Sequence, residues 1–408
     1  MNCPHMHESP NNYPLPPAAP NLARRIKRIA WAQPHDFFAI CSPGLEALCQ
    51  REMVDLGILD AKVEHGGLHF SARLDAAYVL HLHSRLLSRL LLRLKRFRVR
   101  NLTDFIAKLN SIPWEVFIAD NVAIRLQSDL SAHSHLRHTP TLEKHLMEAI
   151  NRRLQSFGLP SARFDQQGEQ RLLLRIEESH CVVSLDLSGQ HLHKRGYRLN
   201  PGRAPLRETL AAGLLAFCGY KGQLPLLDPM CGSGTIPLEA VQIALHMAPG
   251  LKRDFSLNHL PCHREATWQH LCKRTKGEEI GILPQPIFGR DQANLNHARQ
   301  NARVLEVEDK IAWEKADFWQ TAAPVGAPGL LVVNPPYGVR LGSVRQGADL
   351  SRRLARHLLQ NYPGWQVGVV LYRPEWRQYF KLHNMRSMVV GHGGLKLTWL
   401  YGQLPDTI

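Results

Sequence analysis

Asn334-Pro335-Pro336-Tyr337 stands at the end of an apolar run, Leu330-Leu331-Val332-Val333, and its residue types suit one chemical problem. An exocyclic nucleobase amine is a poor nucleophile because its lone pair is delocalised into the ring. The Asn334 side-chain carbonyl and the Pro335 backbone carbonyl can each accept one amine hydrogen, which holds the nitrogen with its lone pair toward an incoming electrophile. Tyr337 can stack on the base. Pro335 and Pro336 fix φ and lack an N–H, so the turn is stiff and presents only acceptors to a ligand. The same residues also suit an ordinary strand-to-loop turn, since Asn-Pro commonly opens turns.

What lies upstream decides between these readings. Leu224 to Leu227 is a short apolar run that feeds Asp228-Pro229-Met230-Cys231-Gly232-Ser233-Gly234-Thr235, and Ile236 to Met247 then reads as a mostly apolar helix. Gly232 and Gly234 let the backbone approach a ligand, and the helix N-terminus favours a carboxylate there. The loop lacks the Gly-Lys-Ser/Thr ending of a phosphate-binding loop and does not fit the Gly-x-Gly-x-x-Gly dinucleotide pattern. A glycine loop and an Asn-Pro-Pro-Tyr turn, each after a strand, belong at the carboxyl edge of one parallel sheet, where open α/β folds bind ligands.

These two motifs together resemble class I S-adenosylmethionine-dependent methyltransferases that act on base amines. Asp186-Leu187-Ser188-Gly189, Leu192 to Arg198, Ala204 to Ala212 and Leu226 to Thr235 narrow the likeness, in order, to the THUMP-domain RNA guanine-N2 methyltransferases of large-subunit (23S) ribosomal RNA, the RlmL-like family with a single methyltransferase domain. The resemblance runs from about Phe37 onward. It implies S-adenosylmethionine as cofactor, held by Asp228, Pro229, Cys231, Gly232, Gly234 and Thr235. It further implies that Asp291 holds the ribose hydroxyls, that Asp317 contacts the adenine amine, and that Asn334, Pro335, Pro336 and Tyr337 form the catalytic turn, with Asn334 also beside the cofactor.

Each acid has a plainer use as well. Asp291 suits the N-cap of a helix from Gln292 to about Val304, and Asp317 suits a turn after the strand Ile311 to Ala316. The stretch from Asp228 to Asp291 is longer than one βαβ step needs, so something is inserted. That insert, about Ala248 to Gln285, carries His259, Cys262, His263, His270 and Cys272, but their order matches no finger or ribbon spacing, and no metal is expected. It reads as a helical excursion bearing Lys252, Arg253, Lys273, Arg274 and Lys276.

The bulk composition agrees with an RNA partner. Fifty Lys and Arg against thirty-five Asp and Glu give a net charge of +15, which favours a polyanion. Eight scattered cysteines form no disulfide pattern and point to a reducing compartment. Neither a membrane-length apolar stretch nor a signal-peptide core is visible, so a cytoplasmic protein is expected.

Residues 1–34 read as a disordered tail, rich in Pro and Asn and then basic at Arg24, Arg25, Lys27 and Arg28. Residues 35–100 read as a ferredoxin-like domain, with strands near Asp36 to Ile40 and Gly67 to Ser71 and a helix over Ser42 to Leu56. His83 to Leu94 is expected to be helical, with Arg85, Arg89 and Arg93 in a stripe opposite leucines. Residues 101–190 read as a THUMP RNA-binding domain: a strand over Val122 to Gln127, a helix from Thr139 as N-cap to Phe157, and a hairpin of Leu172 to Ile176 with Cys181 to Leu187. A linker over 191–204 leads to the methyltransferase domain, 205–408, expected to be an α/β, Rossmann-like doubly wound sheet of about seven strands. One such domain predicts one modification, on 23S ribosomal RNA or the assembling large subunit. A transfer-RNA guanine-N2 enzyme, a DNA adenine-N6 enzyme and a catalytically silent RNA-binding assembly factor are the rival readings.

Overall fold

A computed structural model describes residues 20–119, 122–131, 136, 138–199, 206–324, 326–336 and 344–406. The chain forms two compact units. Of the described residues, the smaller gathers those up to His35, within Arg93–Leu185 and His259–His263; the larger gathers those within Asp36–Leu92, Asp186–Asn258 and from Arg264 on.

The larger unit opens with β1 (His35–Cys41), β2 (Lys62–Glu64), β3 (Gly67–Ala72) and the first half of β4 (Leu87–Arg98), with helices Glu46–Asp55 and Asp75–His83 between them. The order is βαββαβ and the sheet order β2-β3-β1-β4, the ferredoxin-like arrangement expected from sequence. The expected helix over His83 to Leu94 is not there. Those residues end a helix, turn, and enter β4, where Leu87, Leu90 and Leu92 are buried. Arg85, Arg89 and Arg93 therefore form no solvated helical stripe. The Arg89 guanidinium pairs with the buried Asp186 carboxylate and donates to the Gly189 carbonyl at 2.6 Å. Arg85 donates to the Gln242 and Met247 carbonyls at 3.1 and 2.6 Å.

In the smaller unit β5 (Ile124–Leu130) lies parallel to β6 (Gln170–Glu177), and β6 pairs antiparallel with β7 (His180–Asp186) through a tight return at Glu178. Leu142, Leu146, Ile150 and Leu154 bury one face of helix Thr139–Gln155. The cap is His138 rather than Thr139: its ring accepts from the Thr141 N–H at 3.3 Å, which lets Pro140 enter the first turn. The basic segment expected in a disordered tail is helical from Pro20 to Ile26 and π-helical from Lys27 to Trp31, because Leu22, Ala30 and Trp31 bury their side chains.

The larger unit continues into a second sheet: β8 (Leu226–Asp228), β9 (Ile287–Asp291), β10 (Ile311–Lys315), β11 (Leu330–Val333), β12 (Gln366–Leu371), β13 (His383–His392) and β14 (Leu395–Gln403), in the order β10-β9-β8-β11-β12-β14-β13. Five strands are parallel and the last two close the sheet as an antiparallel pair. Every residue of β11 is fully buried, as expected for a central strand covered on both faces. Leu331 and Val333 pack with Val367, Val369, Leu354 and Leu358, the last two from helix Val344–Asn361.

The segment expected to be a linker is fastened down over its described part, 191–199. Leu192, Arg195 and Tyr197 are buried; Arg195 donates to the Leu192 and Arg85 carbonyls at 2.8 and 2.6 Å, and the Tyr197 hydroxyl donates to Glu239 at 3.0 Å. The insert after β8 carries a short turn at Ser256–His259 and a helix, Glu265–Gly277.

Candidate active site

The sheet order fixes where a ligand belongs. From β8 the chain fills one side of the sheet with β9 and β10 and then crosses to β11 on the other, so the switch point lies at the carboxyl ends of β8 and β11. Asp228 is level with Gly289, two residues before Asp291, and Asp291 is level with Lys315, two residues before Asp317. Leu227 is level with Leu331, which puts Asn334 past the same edge. Asp228, Asp291, Asp317 and Asn334 thus come from four consecutive strand ends.

The glycine loop has one open face and one crowded face. Gly232 has φ +54°, is exposed, and a Cβ built there would meet no atom of the described residues within 4 Å. Gly234 has φ +80° and caps helix Thr235–Ala244, but a Cβ there would stand 2.9 Å from Trp313 Cη2 and 3.1 Å from the Ala298 Cβ. Gly232 therefore leaves a cradle for a ligand, and Gly234 lets the loop lie on Trp313. The loop also turns its N–H groups on the acids. Met230 N–H donates to Asp228 Oδ1 at 3.1 Å, and Gly232 N–H donates to Asp291 Oδ2 at 2.8 Å. Asp291 Oδ1 accepts from Ala293 N–H at 2.8 Å. Asp291 therefore closes a turn and does not cap the following helix, which begins only at Asn296. Asp317 accepts from Trp319 N–H at 3.0 Å and from the Gln320 amide at 3.0 Å, capping the turn Phe318–Gln320.

Burial drives the Asp228 carboxyl well above the ordinary carboxylate range; the Met230 N–H opposes the rise and the Asp291 charge adds to it. A cationic ligand group at this edge would restore the ionised form. The Cys231 thiol is likewise pushed up, first by burial and then by Asp228 and Asp291, and it packs with Leu295, Ala298 and Trp313. Pro229 is buried beside it. The Thr235 hydroxyl is engaged by Arg198 at 2.9 Å, on the protein side of the loop.

Asn334 is half-buried, and its Oδ1 is a buried acceptor with no hydrogen-bond partner among the described residues. A buried polar oxygen left unpaired costs on the order of 1–3 kcal/mol, which a hydrogen donated by a ligand removes. Pro335 is buried and Pro336 exposed; Tyr337 lies outside the described residues. Among the described residues no group of three or more His, Cys, Asp or Glu is placed to hold a metal.

Two residues were not singled out from sequence for the parts they play. Asn301 is buried; its amide donates to the Ser233 carbonyl and its Oδ1 accepts from Leu199 N–H, both at 3.0 Å. Arg198 joins Thr235 to the Leu206 carbonyl at 3.0 Å and to Glu208 at 3.0 Å. Arg198 sits in a segment that already carried the resemblance, whereas Asn301 gave no local signal.

Residues 195–400 match the model of the RMKL-like methyltransferase domain, and residues 36–91 match that of the RlmL ferredoxin-like domain. The chain belongs to this methyltransferase family. It is 31% identical over 372 residues, 90% of this chain and 96% of the relative, to slr0064 of Synechocystis, named an RNA methyltransferase. It is 32% identical over 383 residues to the ribosomal RNA large subunit methyltransferase K/L of Syntrophotalea carbinolica, covering 89% of this chain and 53% of that protein. The chain thus spans about half the length of that K/L relative. Among solved structures, SMU.472 complexed with SAH aligns with a TM-score of 0.81 at 24% identity, over 92% of this chain and 99% of that one. A Listeria monocytogenes protein named an N6-adenine-specific DNA methylase aligns with a TM-score of 0.79 at 26% identity, over 91% and 96%. Among the described residues no helix is long and apolar enough to cross a membrane.

Proposed function

We propose that this chain methylates the exocyclic N2 amine of a guanine in 23S ribosomal RNA, using S-adenosylmethionine. The observation that carries the proposal is the Asn334 Oδ1, unpartnered among the described residues, at the switch point of the sheet edge that also carries the Gly232 loop. S-adenosylmethionine supplies a methyl group already activated by its sulfonium charge. Gly232 leaves room for the methionyl part, and Asp291 and Asp317 hold the ribose and adenine. Asn334 and the Pro335 carbonyl each accept one amine hydrogen, which orients the nitrogen lone pair and stabilises the positive charge that develops there. The target base must leave its stack to reach this edge. No side chain is assigned as a general base: the methylated amine is acidic and releases its extra proton to solvent.

RNA as substrate rests on the net charge of +15 and on the names of the relatives. Residues 35–100 serve as the ferredoxin-like domain, 101–190 as a THUMP RNA-binding domain and 205–408 as the methyltransferase domain. The test is transfer of labelled methyl groups to 23S ribosomal RNA and, in parallel, to transfer RNA, both from a strain lacking the protein, with the product identified as a nucleoside. N2-methylguanosine is expected. N6-methyladenosine, or label on transfer RNA alone, overturns the assignment.

A further inference from the structure

The smaller unit carries a cationic cavity that the catalytic reading does not use. It is an open cavity of about 640 Å³, lined by Arg24, Arg25, Lys27, Arg28, Ala32 and Phe157. The helical segment that supplies four of these residues is fixed in place. Leu22, Ala30 and Trp31 are buried, Trp31 Nε1 donates to the Cys262 carbonyl at 2.9 Å, and the His35 ring bonds the Ala30 carbonyl at 2.9 Å.

The cations that line the cavity, together with Arg153, which shares a carboxylate with Arg25, fall into two sets. Arg25 and Arg153 share the buried Glu115 carboxylate, Arg153 at 2.8 and 3.1 Å, and their guanidinium groups lie 5.5 and 4.9 Å from the centre of the Phe157 ring. One carboxylate thus neutralises half of that pair, and both arginines are held by packing. Arg24, Lys27 and Arg28 are exposed and have no carboxylate partner among the described residues. Their spacing of three and four places them on one side of the helical segment. A cavity of this size suits a ligand the size of a nucleotide, and three unneutralised cations at its rim suit consecutive phosphates rather than a single anion. A bilayer surface would need an unburied apolar face on the same helix, and here that face is spent on Leu22, Ala30 and Trp31.

We infer that Arg24, Lys27 and Arg28 form a phosphate-contacting subsite for the RNA substrate, positioned by the Arg25–Glu115–Arg153 cluster beneath it. The inference rests on the RNA reading above, and it assigns part of the RNA affinity to a segment that precedes the ferredoxin-like domain. The contact reads no sequence; it adds affinity and register.

The test is filter binding of full-length protein to 23S ribosomal RNA transcribed in vitro, between about 50 and about 200 mM salt. The variants are Arg24→Gln/Lys27→Gln/Arg28→Gln and the charge-retaining Arg24→Lys/Arg28→Lys. The glutamine variant should bind RNA at least about tenfold more weakly at the lower salt, with a log–log salt slope shallower by about 2 to 3. The lysine variant should keep most of both. S-adenosylmethionine affinity should be the same in all three proteins, which shows that they are folded. An unchanged slope and affinity in the glutamine variant overturns the subsite while leaving the RNA reading intact. Wild-type protein that binds no RNA overturns that reading and this inference with it. Loss of binding to phosphatidylglycerol vesicles with RNA binding unchanged assigns the patch to a lipid surface and overturns the subsite as well.

Discussion

At the scale of single residues, substitution of Asn334 tests the proposed mechanism. Asn334→Ala removes one acceptor for the amine and leaves the glycine loop untouched, so S-adenosylmethionine affinity should stay within a few-fold. The single-turnover methyl-transfer rate should fall by about a hundredfold or more, the scale of losing one hydrogen-bonding group that acts in the transition state. Near-normal single-turnover rates would make Asn334 a turn residue only. Gly232 tests the other half of the site. A Cβ there meets no atom of the described residues, and φ +54° costs an alanine on the order of 1 kcal/mol, so Gly232→Ala should fold. Its methyl group would occupy the cradle, and calorimetry should show cofactor affinity reduced by tenfold or more; unchanged affinity removes Gly232 from the cofactor site. Asn334, Gly232, Asp228 and Asp291 stood out in the sequence because each lies in, or just after, a short strand. Asn301 did not, because its two partners, Ser233 and Leu199, are far from it in sequence and meet it only in the fold.

At the scale of elements, the glycine loop and the strand beneath it form one packed object. Gly234→Ala should be much costlier than Gly232→Ala, although both positions have positive φ. The new methyl group would press on Trp313 at 2.9 Å and on Ala298 at 3.1 Å, and neither is the loose end of a flexible chain. A loss of about 2–4 kcal/mol, from backbone strain and overpacking together, should appear in urea unfolding. Equal stability of the two variants would mean that Trp313 yields, and the loop is not seated as described. The catalytic strands were legible because a central parallel strand is a continuous apolar run, as in Leu330 to Val333. The span 83–94 looks helical in sequence because a spacing of four residues fits both periods. Arg85, Arg89 and Arg93 repeat like one face of a helix, but four is also twice the strand period, and the leucines between them bury in β4. The Arg89 partner that makes an inward arginine tolerable, Asp186, comes from a distant strand, so composition alone could not disclose it.

At the scale of the whole molecule, the catalytic half does not begin where its sequence motif does. Glu239 is fully buried, and its Oε1 takes the Tyr197 hydroxyl at 3.0 Å with Arg195 at 3.6 Å. A protein starting at Leu199 loses both and strands a buried carboxylate, a change that costs about 3–5 kcal/mol against a typical domain stability of about 5–15 kcal/mol. It also loses Asp36–Leu92, which belongs to the same compact unit. Such a truncation should be insoluble or unfolded by circular dichroism, and a folded, cofactor-binding fragment would refute this. The same unit should also weaken in mild acid. His81 is fully enclosed; Nδ1–H donates to the Ala77 carbonyl at 2.7 Å and Nε2 accepts the Ser188 hydroxyl at 3.0 Å, an arrangement that the neutral ring satisfies. Burial pushes its pKa down to about 4, whereas an unfolded chain titrates it near 6.5. Between those values the unfolded state binds a proton that the folded state refuses. The contribution of His81 is therefore complete above about pH 6.5, declines as pH falls toward 4, and is flat below that, with a full swing on the order of 3 kcal/mol. His81→Gln keeps a donor and an acceptor but cannot titrate. The difference in urea midpoint between wild type and His81→Gln should shrink, or reverse, on going from about pH 7.5 to about pH 5. A difference that does not change with pH would show that the ring is protonated, or exposed to water, in the folded protein.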